Sequence, residues 1–292
     1  MIVVKLKGGL GNQMFQYALG RSLSLRNKSS LFLDRSGLEN NSQHTHTQRK
    51  YELDHFNIKA NIGNGGFLTY NSVSAAILYP LINFFSKNKR LRFVPEKINN
   101  FDPDILRKQD NSYFDGYWNT PKYFNEYADI IKKDFTFKVG LTSEERKQAD
   151  KIKSCCSVSI HIRRGDYISN KDANAYHGTC SDQYYSDAIQ IILEKNKEAV
   201  FFIFSDDPDW VHKHFKIDAK HFIVSNTDQL NGLTDMHLMS LCKHAITANS
   251  TFSWWAAWLI ENKDKTVIAP IKWFQDSSVN MNDLFPNSWL RI

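Results

Sequence analysis

The chain lacks several features that would place a protein at a glance. Only four cysteines occur in 292 residues, at positions 155, 156, 180 and 242. The adjacent pair makes a poor disulfide and no C-x-x-C spacing occurs, so the set reads as reduced thiols in a cytosolic protein without a zinc site. The longest apolar run, SVSAAILYPLINFF at 72 to 85, is too short for a membrane span and is interrupted by Pro80 and Asn83. The chain opens directly on the strand-like MIVVKLKGGL, so no signal or transit sequence is expected. The glycines spell neither G-x-G-x-x-G nor G-x-x-x-x-G-K, the histidines form no H-E-x-x-H, and no repeat or low-complexity tract is present.

What is present is enough for a folded core. Hydrophobic residues make up 42% of the chain, which suits one large or two medium domains. A net charge of +6 and a sequence pI near 9.0 suit an anionic partner: a nucleotide, a nucleic acid or a lipid surface.

The start reads as a strand, a glycine turn and a helix with apolar residues at Met14, Phe15, Ala18, Leu19 and Leu23; SSLFLDRS follows as a second strand. From 36 to 125 the pattern is irregular and rich in aromatics, as expected of loops that form a pocket. TSEERKQADKIKS is a charged helix capped by Thr142 or Ser143. From 157 the alternation is regular: SVSIHI, a helix over 182 to 195, AVFFIFSDD, HFIVS, a helix in TDMHLMSLCKH, AITAN, a helix in TFSWWAAWLIEN, and TVIAP. Strands separated by helices predict a mainly parallel α/β architecture, with a domain boundary between 138 and 156.

In open sheets of this kind, ligands bind beyond the carboxyl ends of the strands. Four polar clusters, GGLGNQ, RRGDY, SDDPDW and NSTFSWW, follow apolar strands, which predicts one shared cleft. Gly8, Gly9 and Gly11 let backbone N–H groups approach an anion, or simply make a tight turn. Arg163 and Arg164 end a buried strand and need anionic acceptors; pyrophosphate is one, and an internal pair with an acid such as Asp166 is the other. His161 shares a strand face with Arg163. Asp207-Pro208-Asp209 suits a magnesium or manganese ion, a helix start, or a ribose or guanine contact. Asn249, Ser250 and Thr251 open a helix and suit a phosphate or ordinary capping. Trp254, Trp255 and Trp258 have the spacing of a buried helix face.

Taken together, GGLGNQMFQYALG, HIRRGDY, FIFSDDPDW and HLMSLCKHAITANSTFSWWAAWL resemble the bacterial α-1,2-fucosyltransferases, in that order. The resemblance implies a GT-B-like fold, two Rossmann-like α/β domains facing a cleft. Residues 1–145 would form the acceptor-side domain and 146–292 the GDP-fucose-binding domain, with the C-terminal tail packing back on the first. It implies inverting transfer of L-fucose from GDP-β-L-fucose to the 2-hydroxyl of a terminal β-galactose, with no cofactor and no obligatory metal. Arg163 is then similar to the residue that binds the β-phosphate. Asp235 and His161 would read the nucleotide, and Ser250, Thr251 and Phe252 form a phosphate-contacting turn. The remaining donor-side residues would be Gly9, Gly11, Arg164, Asp166, Ser205, Asp206 and Asn249.

The glycine segment is also similar to that of protein O-fucosyltransferases, which places Asn12 at the reaction centre. Asp34 and Asp115 are candidate acceptor-side acids, and Tyr117 and Trp118 candidate sugar platforms. The expected partners are a nucleotide sugar and a β-galactoside glycan of a surface polysaccharide or O-antigen unit, lipid-linked, with the enzyme cytoplasmic and peripheral on a bacterial inner membrane. The alternative is a metal-dependent glycosyltransferase that uses another nucleotide sugar through Asp207 and Asp209. A nucleic-acid-binding protein is a third class, but no nucleic-acid module is recognisable.

Overall fold

A computed structural model describes residues 1–39, 49–64, 91–97, 100–165, 171–224, 231–276 and 279–292. The apolar stretch at 72 to 85 and Asp166 lie outside the described residues. The chain divides into two compact units, Met1–Lys138 with Asn282–Leu284, and Val139–Met281 with Phe285–Ile292.

In the first unit, β1 (Ile2–Lys5), β2 (Leu31–Asp34), β3 (Asn61–Gly63), β4 (Arg92–Pro95) and β5 (Ser112–Asp115) form a sheet in the order β3-β2-β1-β5-β4. Every pairing is parallel. Ile2, Val3 and Val4 are fully buried, as befits a central parallel strand covered on both faces. Helix α1 (Leu10–Arg26) contains no proline and is buried nearly all round. It lies directly on the sheet, because Gly20 offers no side chain where a Cβ would come within 2.6 Å of Val4 and 2.7 Å of Leu31. The region expected to be irregular therefore supplies three strands. β3 and β4 escape a reading of periodicity because each spans only three or four residues and carries exposed ones.

The second unit begins ahead of α3 (Ser143–Lys153), following α2 (Ala128–Asp134) of the first. Thr142 is the cap: its hydroxyl accepts from the Glu145 N–H, and the Glu145 carboxylate accepts from the Thr142 N–H at 2.7 Å. The sheet contains β6 (Cys156–Ile162), β7 (Ala199–Ser205), β8 (His221–Ile223), β9 (His244–Ile246), β10 (Val267–Ala269) and β11 (Leu290–Arg291), in the order β11-β10-β9-β6-β7-β8, again all parallel. Helices α4 (Lys171–His177), α5 (Asp182–Lys195), α6 (Pro208–His214), α7 (Asn231–Ser240) and α8 (Thr251–Leu259) connect the strands.

Helix α7 ends earlier than its sequence suggests, because His244 is drawn into β9 by pairing with Val158. Trp254 and Trp255 are fully buried and Trp258 is 7% exposed, so the α8 tryptophans are core. Among the described residues, no helix is long and apolar enough to cross a membrane.

Read from β8 inward, the second sheet has the dinucleotide-fold order, in which two halves run outward from a central pair. The reversal falls between β6 and β9, and such a reversal is where an open α/β sheet leaves a crevice at its carboxyl edge. In the first sheet β1, β2 and β3 run outward to one edge, whereas β4 lies at the other edge and β5 sits between it and β1.

Candidate active site

At the reversal in the second unit, β6 delivers His161 and then Arg163. His161 is 4% exposed, its ring centre is 5.3 Å from that of Phe252, and its Nδ1 is buried without a hydrogen-bond partner. Burial, and secondarily the charge of Arg163, push its pKa down to about 3, so the imidazole is neutral at physiological pH. Phe252 stands at the start of α8, where the Ser250 hydroxyl accepts from the Phe252 N–H at 3.3 Å. Gly232 of α7, the helix that carries Asp235, lies against the Phe252 ring. His161, Ser250, Phe252 and the α7 face are thus gathered at one edge.

Asn249 is spoken for. It is 2% exposed, and its amide donates to the carbonyls of His177, Gly178 and Trp273 at 3.0, 3.2 and 3.2 Å. It ties two loops to the end of β9, and its Oδ1 accepts from the Cys180 thiol at 3.6 Å.

The register Ile162↔Ser205 brings the end of β7 beside the arginines. Arg163 pairs with Asp206 at 2.8 Å, and both side chains are 24% exposed. The Arg164 Nε donates to Asp207 at 3.2 Å, and its guanidinium lies 3.7 Å over the Trp210 ring. Ser205 accepts from the Asp207 N–H at 3.0 Å. Asp207 caps α6 by accepting from the Trp210 N–H at 3.2 Å, and Pro208 opens that helix. The acid-x-acid motif is therefore a helix start, with Asp207 committed to Arg164 and Trp210. Among the described residues, no group of three or more His, Cys, Asp or Glu side chains could hold a metal ion.

The first unit presents a second constellation at the glycine turn between β1 and α1. Gly8 takes a φ of +78°, and Asn12 lies across it so closely that a Cβ would come within 2.5 Å of its amide nitrogen. Gly9 caps α1 without a side chain, and Gly11 is buried in its first turn. Two glutamines that the sequence reading missed hold this turn. Gln13 donates to the carbonyls of Gly8 and Lys50 and accepts from Glu52, and Gln16 joins Lys7 to Gly116. Both are fully buried. Their signal was two amides three residues apart in a helix that is otherwise mostly apolar.

Asp34 is fully buried and accepts from Tyr113 at 2.7 Å and from the Ser36 N–H at 2.9 Å, which makes it a structural acid rather than one facing an acceptor. Asp115 pairs with Lys5 and Lys7 at 3.2 and 3.0 Å; burial raises its pKa, but the two ammonium groups outweigh that and hold it below the ordinary carboxylate range. Trp118, 1% exposed, is core. Tyr117 is 41% exposed, with the Lys7 ammonium 4.7 Å from its ring centre. Glu96, also missed, accepts from the N–H groups of Tyr117 and Trp118 at 2.6 and 2.9 Å and supports the left-handed φ of +58° at Trp118; burial raises its pKa.

Two Rossmann-like units of this kind make the fold GT-B-like. The architecture is shared with a solved complex of an Arabidopsis thaliana FUT1 mutant with GDP, at a TM-score of 0.50 and 13% identity over 99% of this chain and 75% of that one. The whole chain, residues 1–292, matches the model of glycosyl transferase family 11, and the protein belongs to that family and is a glycosyltransferase. It is 36% identical to an alpha-1,2-colitosyltransferase of Escherichia coli over 100% of this chain and 99% of the relative. It is 33% identical to the O-antigen biosynthesis glycosyltransferase WbnK of Escherichia coli over 98% and 99%. A galactoside 2-alpha-L-fucosyltransferase of Caenorhabditis elegans is 25% identical over 100% of this chain and 79% of that protein.

Proposed function

We propose that this glycosyltransferase moves L-fucose from GDP-β-L-fucose, with inversion, to the 2-hydroxyl of a terminal β-galactose in an O-antigen unit. The observation that carries this reading is the placement of Arg163 and neutral His161 at the strand-order reversal, beside the Ser250-capped start of α8. A fixed guanidinium and helix-end N–H groups are suited to a pyrophosphate. The α-1,2 linkage in the names of the colitosyl and fucosyl relatives supports the regiochemistry. Colitose is L-fucose without its 3-hydroxyl, so one donor pocket shape serves both relatives' sugars.

In this mechanism the acceptor hydroxyl oxygen attacks the anomeric carbon on the face opposite the pyrophosphate, the bond to the leaving GDP breaks as the new α-linkage forms, and the hydroxyl proton passes to solvent water. Negative charge grows on the β-phosphate oxygen, where Arg163 stabilises it more than in the ground state. The first unit supplies the acceptor side, with Asn12 at its glycine turn and Tyr117 as the sugar platform.

The test is transfer from GDP-fucose and GDP-colitose to a panel of β-galactosides, with and without a chelator, and linkage analysis of the product. An α-1,2-linked fucoside formed in the presence of chelator is expected, and Arg163→Ala is expected to lower turnover by about 100- to 1000-fold while leaving the melting temperature in place. Exclusive use of GDP-colitose or of another nucleotide sugar, or loss of activity on chelation, would overturn the reading.

A further inference from the structure

Asp206 meets three successive residues at the end of β6, Arg163, Arg164 and Gly165. Its Oδ2 is 2.8 Å from Nη1 of Arg163, and its Oδ1 accepts from the Arg164 N–H at 2.8 Å. Gly165, next in the chain, lies so close that an added Cβ would come within 2.4 Å of the same Oδ2, and the three nearest atoms to that Cβ all belong to Asp206. One carboxylate thus grips a guanidinium, a backbone N–H and a bare Cα in three successive residues of one turn.

A carboxylate beside a pyrophosphate would repel it, so direct contact with the donor is a poor use of this group. Its charge is useful where it is neutralised by Arg163. We propose that Asp206 is a positioning residue that acts through Arg163: it fixes the plane of the guanidinium and the turn at the end of β6 before the donor binds. The inference rests on the reading of Arg163 as the residue that meets the leaving pyrophosphate. Preorganisation of that kind acts on the chemical step, because a cation already in place need not reorganise as charge develops. It also accounts for the glycine at 165, whose backbone is not in the left-handed region and whose missing side chain leaves room for the Asp206 carboxylate.

Gly165→Ala is therefore a selective probe, since its methyl group displaces Asp206 without removing it. Donor and acceptor kinetics are measured for Asp206→Ala, Asp206→Asn, Gly165→Ala and the double variant Asp206→Ala/Gly165→Ala. Asp206→Ala and Gly165→Ala are each expected to lower kcat by about 100-fold with the donor KM within about 3-fold of the parent, and the double variant to fall no further. Asp206→Asn, which keeps an oxygen for the Arg164 N–H, is expected to recover about 10-fold of that loss. Additive losses in the double variant, parental kcat in Asp206→Ala, or a loss confined to donor KM would overturn the proposal. If Asp206→Ala shows no cooperative melting transition, Gly165→Ala and Asp206→Asn decide it by the same kcat criterion. A parent enzyme that transfers nothing from GDP-fucose or GDP-colitose overturns the functional reading itself, before any variant is compared.

Discussion

The Arg164 guanidinium stacks 3.7 Å over the Trp210 ring while its Nε donates to Asp207, the residue that caps the helix carrying that tryptophan. The arginine side chain is 18% exposed, so the stack is largely shielded from water, whereas the Asp207 end of the ion pair is 37% exposed. Arg164→Ala is expected to cost about 1–2 kcal/mol of stability, read from urea denaturation. Arg164→Lys is expected to recover little of it, because an ammonium does not stack as a planar guanidinium does. Turnover in both variants should exceed that of Arg163→Ala.

His161 makes the stability of the protein depend on pH. Its pKa is about 3 in the folded protein against 6.5 for an ordinary histidine, so below pH 6.5 the unfolded chain binds a proton that the folded one refuses. This contribution is fully present above pH 6.5 and falls as pH drops toward 3, by about 1.4 kcal/mol per pH unit. His161→Phe, which keeps a ring against Phe252, removes that slope. The stability difference between variant and parent, measured by urea denaturation at pH 7 and pH 5, should shift in favour of the variant at the lower pH.

Gln16 bonds Lys7, in the turn after β1, to Gly116, the residue after β5, from within the core. Gln16→Leu would fill the same space but leave the Lys7 N–H and the carbonyls of Lys7 and Gly116 without their partner. A loss of about 3 kcal/mol is expected in chemical denaturation. A loss under about 1 kcal/mol would mean that other groups satisfy these atoms.

Tyr117 is an exposed ring whose backbone N–H is held by the half-buried Glu96 carboxylate. Tyr117→Ala is expected to raise the acceptor KM by about 10-fold, since stacking on an aromatic face is worth roughly 1 kcal/mol or more. The donor KM should stay at the parental value. Steady-state kinetics with each substrate varied in turn separates the two effects.

The contrast between the two units shows what local pattern can reveal. β6 and β7 are seven residues each and, apart from His161, apolar or small along their buried stretches, so their ends, and the polar clusters after them, stand out in the sequence. β3 and β4 are too short and too exposed to show a period. Partners were harder to read than positions. The register of β6 on β7 brings Asp207 and Trp210 to Arg164, partners that lie more than forty residues along the chain and that no local pattern announces. Glu96 gave no signal at all, because its partners are backbone N–H groups that any residue could supply. Asn249 was legible as a polar residue at a strand end, but its three carbonyl partners arrive from loops distant in sequence.

The chain passes from the first unit to the second at 138/139, returns at 281/282 and leaves again at 284/285. Within those three returning residues, Asp283 accepts from the Phe101 N–H at 2.9 Å and its carbonyl accepts from Thr120, while the residues after it supply β11. Neither unit is therefore a continuous stretch of the chain. A chimaera that exchanges the second unit with that of a relative must splice at three junctions, taking 139–281 and 285–292 and leaving 282–284 behind; a single crossover at 138/139 would hand the recipient a foreign patch on its own first unit.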